Sequence, residues 1–327
     1  MLKKLLASQF KTPQKSQGQA FAPSNIALIK YWGKRQSLLN LPVTSSLSIS
    51  LGEKGAHTHI APIDAAENQV YLNGTLVATT DSFHERLSHF LNLLKPDPSQ
   101  HYRIETQLNL PVAAGLASSA CGFAALVKAF ADLYAWDLPE PILSILCRIG
   151  SGSASRSLWQ GFVEWHRGER EDGLDSYAEP LPYTMPGFAI GLLIVSTDKK
   201  PIGSREAMNR TTQTSQLYES WPKQVENDLV KIKYALEQQN FKLMGETAEK
   251  NAMAMHATML SAQPSICYFL PETLIAMQKI KALRDQGLPI YFTQDAGPNL
   301  KLLTLGTCIH QVEEELKQGL DWVLPKQ

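Results

Sequence analysis

Between Pro111 and Gly122 the chain reads PVAAGLASSACG, with no charged residue, and it runs straight into an Ala-rich stretch that ends at Tyr134. Ala-rich segments favour helix, so a helix is expected over Gly115 to Tyr134. Small side chains before a helix let backbone N–H groups approach a phosphate, where the helix N-terminus adds positive potential. Ser118 and Ser119 would then offer hydroxyls to phosphate or to a metal ion. Taken alone, the segment equally suits a helix packed closely on a sheet. Both readings require a helix, and the Gly-Lys-Ser/Thr of a Walker loop is absent.

The rest of the chain suits such a layered fold. Its 327 residues with 44% apolar content can fill one large or two ordinary cores. The 31 basic and 31 acidic residues cancel, so net charge gives no reason to expect a nucleic-acid or acidic-membrane partner. Any anion site must therefore be local. The longest apolar run, Gly187 to Val195, ends at Ser196-Thr197-Asp198 and is too short to span a membrane. Cys121, Cys147, Cys267 and Cys308 are scattered in apolar surroundings, as buried thiols in a reducing, cytoplasmic setting would be. The first 21 residues read as a basic tail without a secretory h-region.

Periodicity places strands at Asn25 to Trp32 and Val43 to Leu51, and a hairpin around Asn73-Gly74. Helices are expected at Phe83 to Leu94 and, after Pro139, up to Ile149, followed by a strand at Gly161 to Trp165. The charged, Gly- and Pro-rich stretch from His166 to Pro186 suggests a boundary between domains at 22–186 and 187–327. In the second half, helical patterns cover Gln213 to Glu237, Phe241 to Ser261 and Glu272 to Gln286. Short strands at Ile290 to Thr293 and Lys301 to Leu305 precede a last helix at Ile309 to Lys317. The class is α+β.

Three further segments carry chemistry. Ser151 to Ser157 (SGSASRS) sets the fork of Arg156 among hydroxyls, which suits a carboxylate or phosphate and equally a helix cap with a solvated arginine. Lys30 ends an apolar strand, where an ammonium needs an anionic partner or a structural ion pair. In Phe292 to Asn299 (FTQDAGPN) a strand runs into Asp295, which either forms a turn or, beside a strand-end lysine, becomes a reactive carboxylate.

Together these segments resemble one family, the mevalonate diphosphate decarboxylases of the GHMP small-molecule kinase superfamily. The resemblance rests on NIALIKYWGK at Asn25 to Lys34, PVAAGLASSA at Pro111 to Ala120, and SGSASRSLWQGFVEW at Ser151 to Trp165. SREAMNRTTQTS at Ser204 to Ser215 and DAGPN at Asp295 to Asn299 complete it, in the family's order. The resemblance implies a GHMP kinase-type two-domain fold: a ribosomal protein S5 domain 2-like N-terminal domain and a ferredoxin-like α/β-plait C-terminal domain. It implies ATP- and Mg2+-dependent phosphorylation of the 3-hydroxyl of mevalonate 5-diphosphate, then loss of phosphate and CO2 to give isopentenyl diphosphate. Asp295, Lys30 and Arg156 would be catalytic, with Arg156 on the substrate carboxylate beside Ser153 and Ser155, and Asn25 holding the guanidinium. Tyr31, Lys34, Ser204 and Arg205, with Met208 nearby, would bind the substrate diphosphate. ATP would lie on Pro111, Ala113, Ala114, Gly115, Leu116, Ala117, Ser118 and Ser119. No protein ligand for magnesium can be assigned, and a homodimer is common among such enzymes. Thr44 departs from the pattern, since an Asn is common there, and the N-terminal tail is longer than the motif requires.

A related kinase, or a decarboxylase of the monophosphate, is the rival reading; an RNA-binding protein would need a basic or aromatic stripe that the chain lacks. His57-Thr58-His59 reads as a solvated strand face, and Met253, Met255 and Met259 as helix packing.

Overall fold

The computed structural model describes residues 5–6, 8–110, 118–198, 200–317 and 319–326. The strands are β1 (Gly18–Ile29), β2 (Lys34–Gln36), β3 (Leu41–Pro42), β4 (Ser46–Ile63), β5 (Gln69–Leu72), β6 (Thr75–Leu76), β7 (His101–Leu108), β8 (Phe162–Trp165), β9 (Ala178–Pro180), β10 (Phe188–Leu193), β11 (Tyr291–Gln294), β12 (Leu300–Leu305) and β13 (Asp321–Val323). The helices are α1 (Ser82–Leu94), α2 (Ser118–Tyr134), α3 (Glu140–Gly150), α4 (Ser204–Thr214), α5 (Trp221–Glu237), α6 (Phe241–Leu260), α7 (Pro271–Asp285) and α8 (Ile309–Leu316).

β4 organises the first half. It pairs antiparallel with β1 along one edge, and with β7 and then β8 along the other; β5 joins β7 in parallel, and β9 closes on β8. Gly52 and Gly55, with Glu53-Lys54 between them, look like the end of a strand, but the strand bulges there and continues. Pairing jumps from Pro23↔Gly55 to Asn25↔Ser50, Gly52 has φ +64°, and a Cβ at Gly55 would lie 2.8 Å from Pro23 Cα. Beyond the bulge, exposed His57 and His59 alternate with buried Ala56, Thr58 and Ile60, as expected of a half-solvated sheet. The Asn73-Gly74 turn forms as expected, both residues at positive φ.

The expected free tail is corrected in part. Residues 18–21 are the first rungs of β1, Leu6 is buried in the core, and Lys15 pairs with Asp132 of α2. The residues 111–117 lie outside the described set, so the expected phosphate loop cannot be placed, and α2 begins at Ser118. Ala124, Ala125 and Ala129 of α2 are fully buried among the residues of the main core.

The second half is a four-stranded antiparallel sheet, order β11-β12-β10-β13, with α6 and α7 against β11 and α5 packed on α6. The expected helix at Gln213 to Glu237 is instead α4, a 3-10 turn at Gln216–Ser220, and α5. One buried apolar cluster includes Ile29 and Trp32 together with Trp221, Ala248 and Met255, so the halves share a core where the site forms. Cys121 and Cys147 are buried, but Cys267 is exposed and Cys308 half-buried, which corrects the expectation of four buried thiols. No helix among the described residues is long and apolar enough to cross a membrane.

Candidate active site

Lys30 follows the last β1–β4 pair, Ile29↔Leu47, so its N–H has no ladder partner. It donates instead to Asn251 Oδ1 of α6 at 2.8 Å, while Asn251 Nδ2 donates to the buried Asp228 of α5 at 2.9 Å. The Lys30 end of this strand is therefore fixed by helices of the other half. The Lys30 side chain, 2% exposed, reaches Asp295 Oδ1 at 2.7 Å. Lys301 of β12 takes Oδ2 at 3.1 Å. Burial pulls the Lys30 ammonium below its ordinary value, against the Asp295 charge that raises it. Burial likewise pushes the Asp295 carboxyl up, but the two ammoniums outweigh it and hold the group well below the usual carboxylate range. Asp295 keeps 30% of its side-chain surface exposed, whereas both lysines are buried.

Arg156 ends the 3-10 turn Gly152–Arg156 that follows α3. Its Nη1 donates to Ser46 Oγ at 2.5 Å, the guanidinium lies 5.7 Å from the Trp165 ring, and Nε has no partner. Burial lowers its pKa to about 10, partly offset by the charge of Asp295. A Cβ on Gly152 would sit 2.9 Å from the Tyr31 ring and 3.0 Å from Trp165, so only glycine admits this packing.

Several expected roles change. Asn25 does not bond the guanidinium: its Nδ2 donates to Ser157 Oγ at 2.7 Å and to the Ser153 carbonyl at 3.4 Å, fastening the turn that carries Arg156. Ser155 is fully buried and its hydroxyl is spent on the Gly152 carbonyl, so it supports the turn rather than facing a ligand. Ser153 remains half-exposed beside Ser151. Met208 is buried among the residues of the main core, one turn along α4 from Ser204.

Tyr31 packs edge-on against Trp165 at 4.7 Å, and its buried OH has no partner. Lys34 donates to Asn40 Oδ1 at 2.7 Å; burial, and secondarily the charge of Arg205, lowers its pKa to about 8. Asn40 sits at φ +51° and spends its Nδ2 on the Arg148 and Ile149 carbonyls, which aims Oδ1 at Lys34. Ser204 and the exposed Arg205 open α4. Ser119, half-exposed, lies in the first turn of α2; the side chain of Ser118 and residues 111–117 lie outside the described residues.

Two lysines escaped the sequence reading. Lys200 bridges Ser204 Oγ at 2.7 Å and the Ala296 carbonyl at 2.9 Å, tying the segment after β10 to the turn that carries Asp295. Lys301 is the other, and its one signal was a lone charge inside the apolar strand LKLLTL. Asn299, whose Oδ1 accepts from the Val195 and Ser196 N–H groups, joins the same two segments. His256 of α6 is kept neutral, with a pKa near 4, by burial and then by the nearby Lys30 charge.

Lys30 and Arg156 from one half and Lys200 and Lys301 from the other act on the Asp295 carboxylate, while Lys34 and Arg205 lie within each other's field. Such a cluster suits an enzyme that transfers phosphoryl groups among small polyanions. Comparison with known proteins gives the family. Residues 22–178 match the diphosphomevalonate decarboxylase-like N-terminal domain, and residues 190–322 the mevalonate 5-diphosphate decarboxylase C-terminal domain. A diphosphomevalonate decarboxylase of Aspergillus fumigatus is 39% identical over 85% of this chain and 74% of its own length. The crystal structure of mevalonate diphosphate decarboxylase from Staphylococcus aureus is similar at TM-score 0.89 and 34% identity, over 95% of this chain and 96% of that one. A structure in complex with MVAPP, AMPPCP and magnesium is similar at TM-score 0.89 and 36% identity, over 94% and 96% of the two chains. This chain belongs to the diphosphomevalonate decarboxylase family, whose members are ATP-dependent decarboxylases, with the family's two-domain α+β fold.

Proposed function

We propose that this enzyme uses ATP to phosphorylate the 3-hydroxyl of mevalonate 5-diphosphate and then expels phosphate and CO2 to give isopentenyl diphosphate. The observation that carries this reading is the Asp295 carboxylate pinned between Lys30 and Lys301 within the field of Arg156. Asp295 accepts the hydrogen bond of the 3-hydroxyl and takes its proton as the O–P bond forms. A carboxylate this acidic is a weak base for an alcohol, so orientation supplies most of its effect. Arg156, with Nε still unpaired, holds the C1 carboxylate. When the C3–O bond breaks, its electron pair leaves with phosphate; the C1–C2 pair becomes the C2=C3 double bond, and C1 departs as CO2. The leaving phosphate supplies the electron sink, so no further organic cofactor is needed. Tyr31, Lys34, Ser204 and Arg205 receive the diphosphate, with Ser153 beside the carboxylate.

ATP is assigned to Pro111–Ser119. The chain fits a magnesium ion carried on phosphates rather than one caged by protein. Both Asp295 oxygens are held by lysines, and no group of three His, Cys, Asp or Glu ligands occurs among the described residues. The ion would be held largely by phosphates and water, and would neutralise charge on the phosphates. The Cys121 and Cys147 thiols suit a cytoplasmic enzyme. Homodimers are common among such enzymes, and light scattering of the purified protein checks for one.

The test is an assay with ATP, Mg2+ and mevalonate 5-diphosphate that measures ADP and CO2 together. Equal amounts are expected, with both falling roughly 10²–10⁴-fold in Asp295→Asn. ADP without CO2 would mean a kinase, and preference for the monophosphate would remove the roles of Lys34 and Arg205.

A further inference from the structure

Lys301 occupies a position where packing does not call for a lysine. β12 is an interior strand, with Lys301 paired to Leu192 of β10 on one side and to Thr293 of β11 on the other. It is 2% exposed and flanked in sequence by buried Leu300 and Leu302, so an apolar side chain would spare the desolvation of an ammonium. Its ion pair is with Asp295 Oδ2 at 3.1 Å. Asp295 is already neutralised by Lys30 at 2.7 Å on the other oxygen, while Arg156 and Lys200 act on it through the field alone. Charge balance therefore does not explain a second buried cation. Geometry does: with one oxygen held, a carboxylate still swings about its Cβ–Cγ bond, and with both held from two strands its plane is fixed.

We propose that Lys301 is a positioning residue, which with Lys30 locks the plane of the Asp295 carboxylate so that its remaining lone pairs meet the substrate hydroxyl. The proposal rests on the decarboxylase reading, which stands or falls separately on the products of the wild-type enzyme. The test is a kinetic cycle of Lys301→Met, Asp295→Asn and the double variant, repeated with Lys301→Gln. The double variant removes both members of the ion pair, which keeps the fold measurable where Lys301→Met alone is unstable. Lys301→Met is expected to lower kcat about 10- to 100-fold, with KM for both substrates within about threefold of wild type, since it removes orientation and no ligand contact. On the Asp295→Asn background the same change is expected to cost less than about threefold. An equal loss on both backgrounds would mean a packing or general field effect, and an unchanged kcat would mean that Lys30 suffices; either overturns the proposal. Should Lys301→Met alone fail to fold, the double variant is compared with Asp295→Asn, and a loss of more than about threefold between them overturns the proposal as well.

Discussion

Lys34 is charged only at a cost, because burial and then the Arg205 charge bring its pKa from 10.5 to about 8. The folded protein therefore favours the neutral amine. Lys34 subtracts from stability while charged below about 8, and the penalty lifts as pH rises toward 10.5. Binding has the opposite sign, since a diphosphate needs the ammonium. We expect kcat/KM for the diphosphate substrate to fall above pH 8 while kcat stays flatter, and the alkaline limb to move up in Lys34→Arg, whose charge persists. A pH–rate profile with the same limb in both enzymes would remove Lys34 from that role. Lys30, Arg156 and Asp295 were legible in sequence because each stands where its charge is costly or its neighbours are small and polar. Lys301 and Lys200 were not, since a lysine shows its partner only after the chain folds. Ser155 shows a related limit of sequence: the residue type is visible there, while the backbone decides where the hydroxyl turns, here to the Gly152 carbonyl.

At the level of elements, α5 and α6 do more than cover a sheet. The hydrogen-bond path from Asp228 through Asn251 to the N–H of Lys30 spans both halves and is buried throughout. Asn251→Ala leaves a buried N–H without an acceptor and one Asp228 oxygen without its donor, which costs about 1–3 kcal/mol per unmet group. A urea melt is expected to show that loss, accompanied by a lower kcat because the Lys30 backbone is no longer fixed; an unchanged midpoint would mean that water replaces the amide. The second-half helices were legible from their apolar spacing, and their observed ends lie within two residues of those expected from Phe241 onward. The strands were less so. β7 has no counterpart in the sequence reading, although HYRIETQL alternates buried Tyr102 and Ile104 with Arg103 and Glu105 between β4 and β5. β1 starts at Gly18 because pairing with 57–60 organises a stretch that propensity alone left as tail.

At the level of the whole molecule, a net charge of zero conceals a cluster in which Lys30, Arg156, Lys200 and Lys301 act on the Asp295 carboxylate and Lys34 and Arg205 lie within each other's field. Like charges held together by the fold oppose it in the free protein and favour it once polyanions bind, so stability and function are set against each other there. Arg205 isolates this effect: it is exposed, yet its charge reaches both Lys34 and Tyr31. Arg205→Ala is therefore expected to melt no lower than wild type without ligand, because it relieves repulsion at Lys34 and empties no core site. Saturating substrate adds about 2.7 kcal/mol at a hundredfold excess over Kd, which raises the melting temperature of the wild-type protein by several degrees. At the same substrate concentration the variant is expected to lose most of that rise, and more of it for the diphosphate than for the monophosphate. Thermal melts with and without each ligand separate the cases. A variant that melts lower without ligand yet keeps the full ligand-induced rise would show that Arg205 supports the fold, and that the diphosphate is held by the other cations alone.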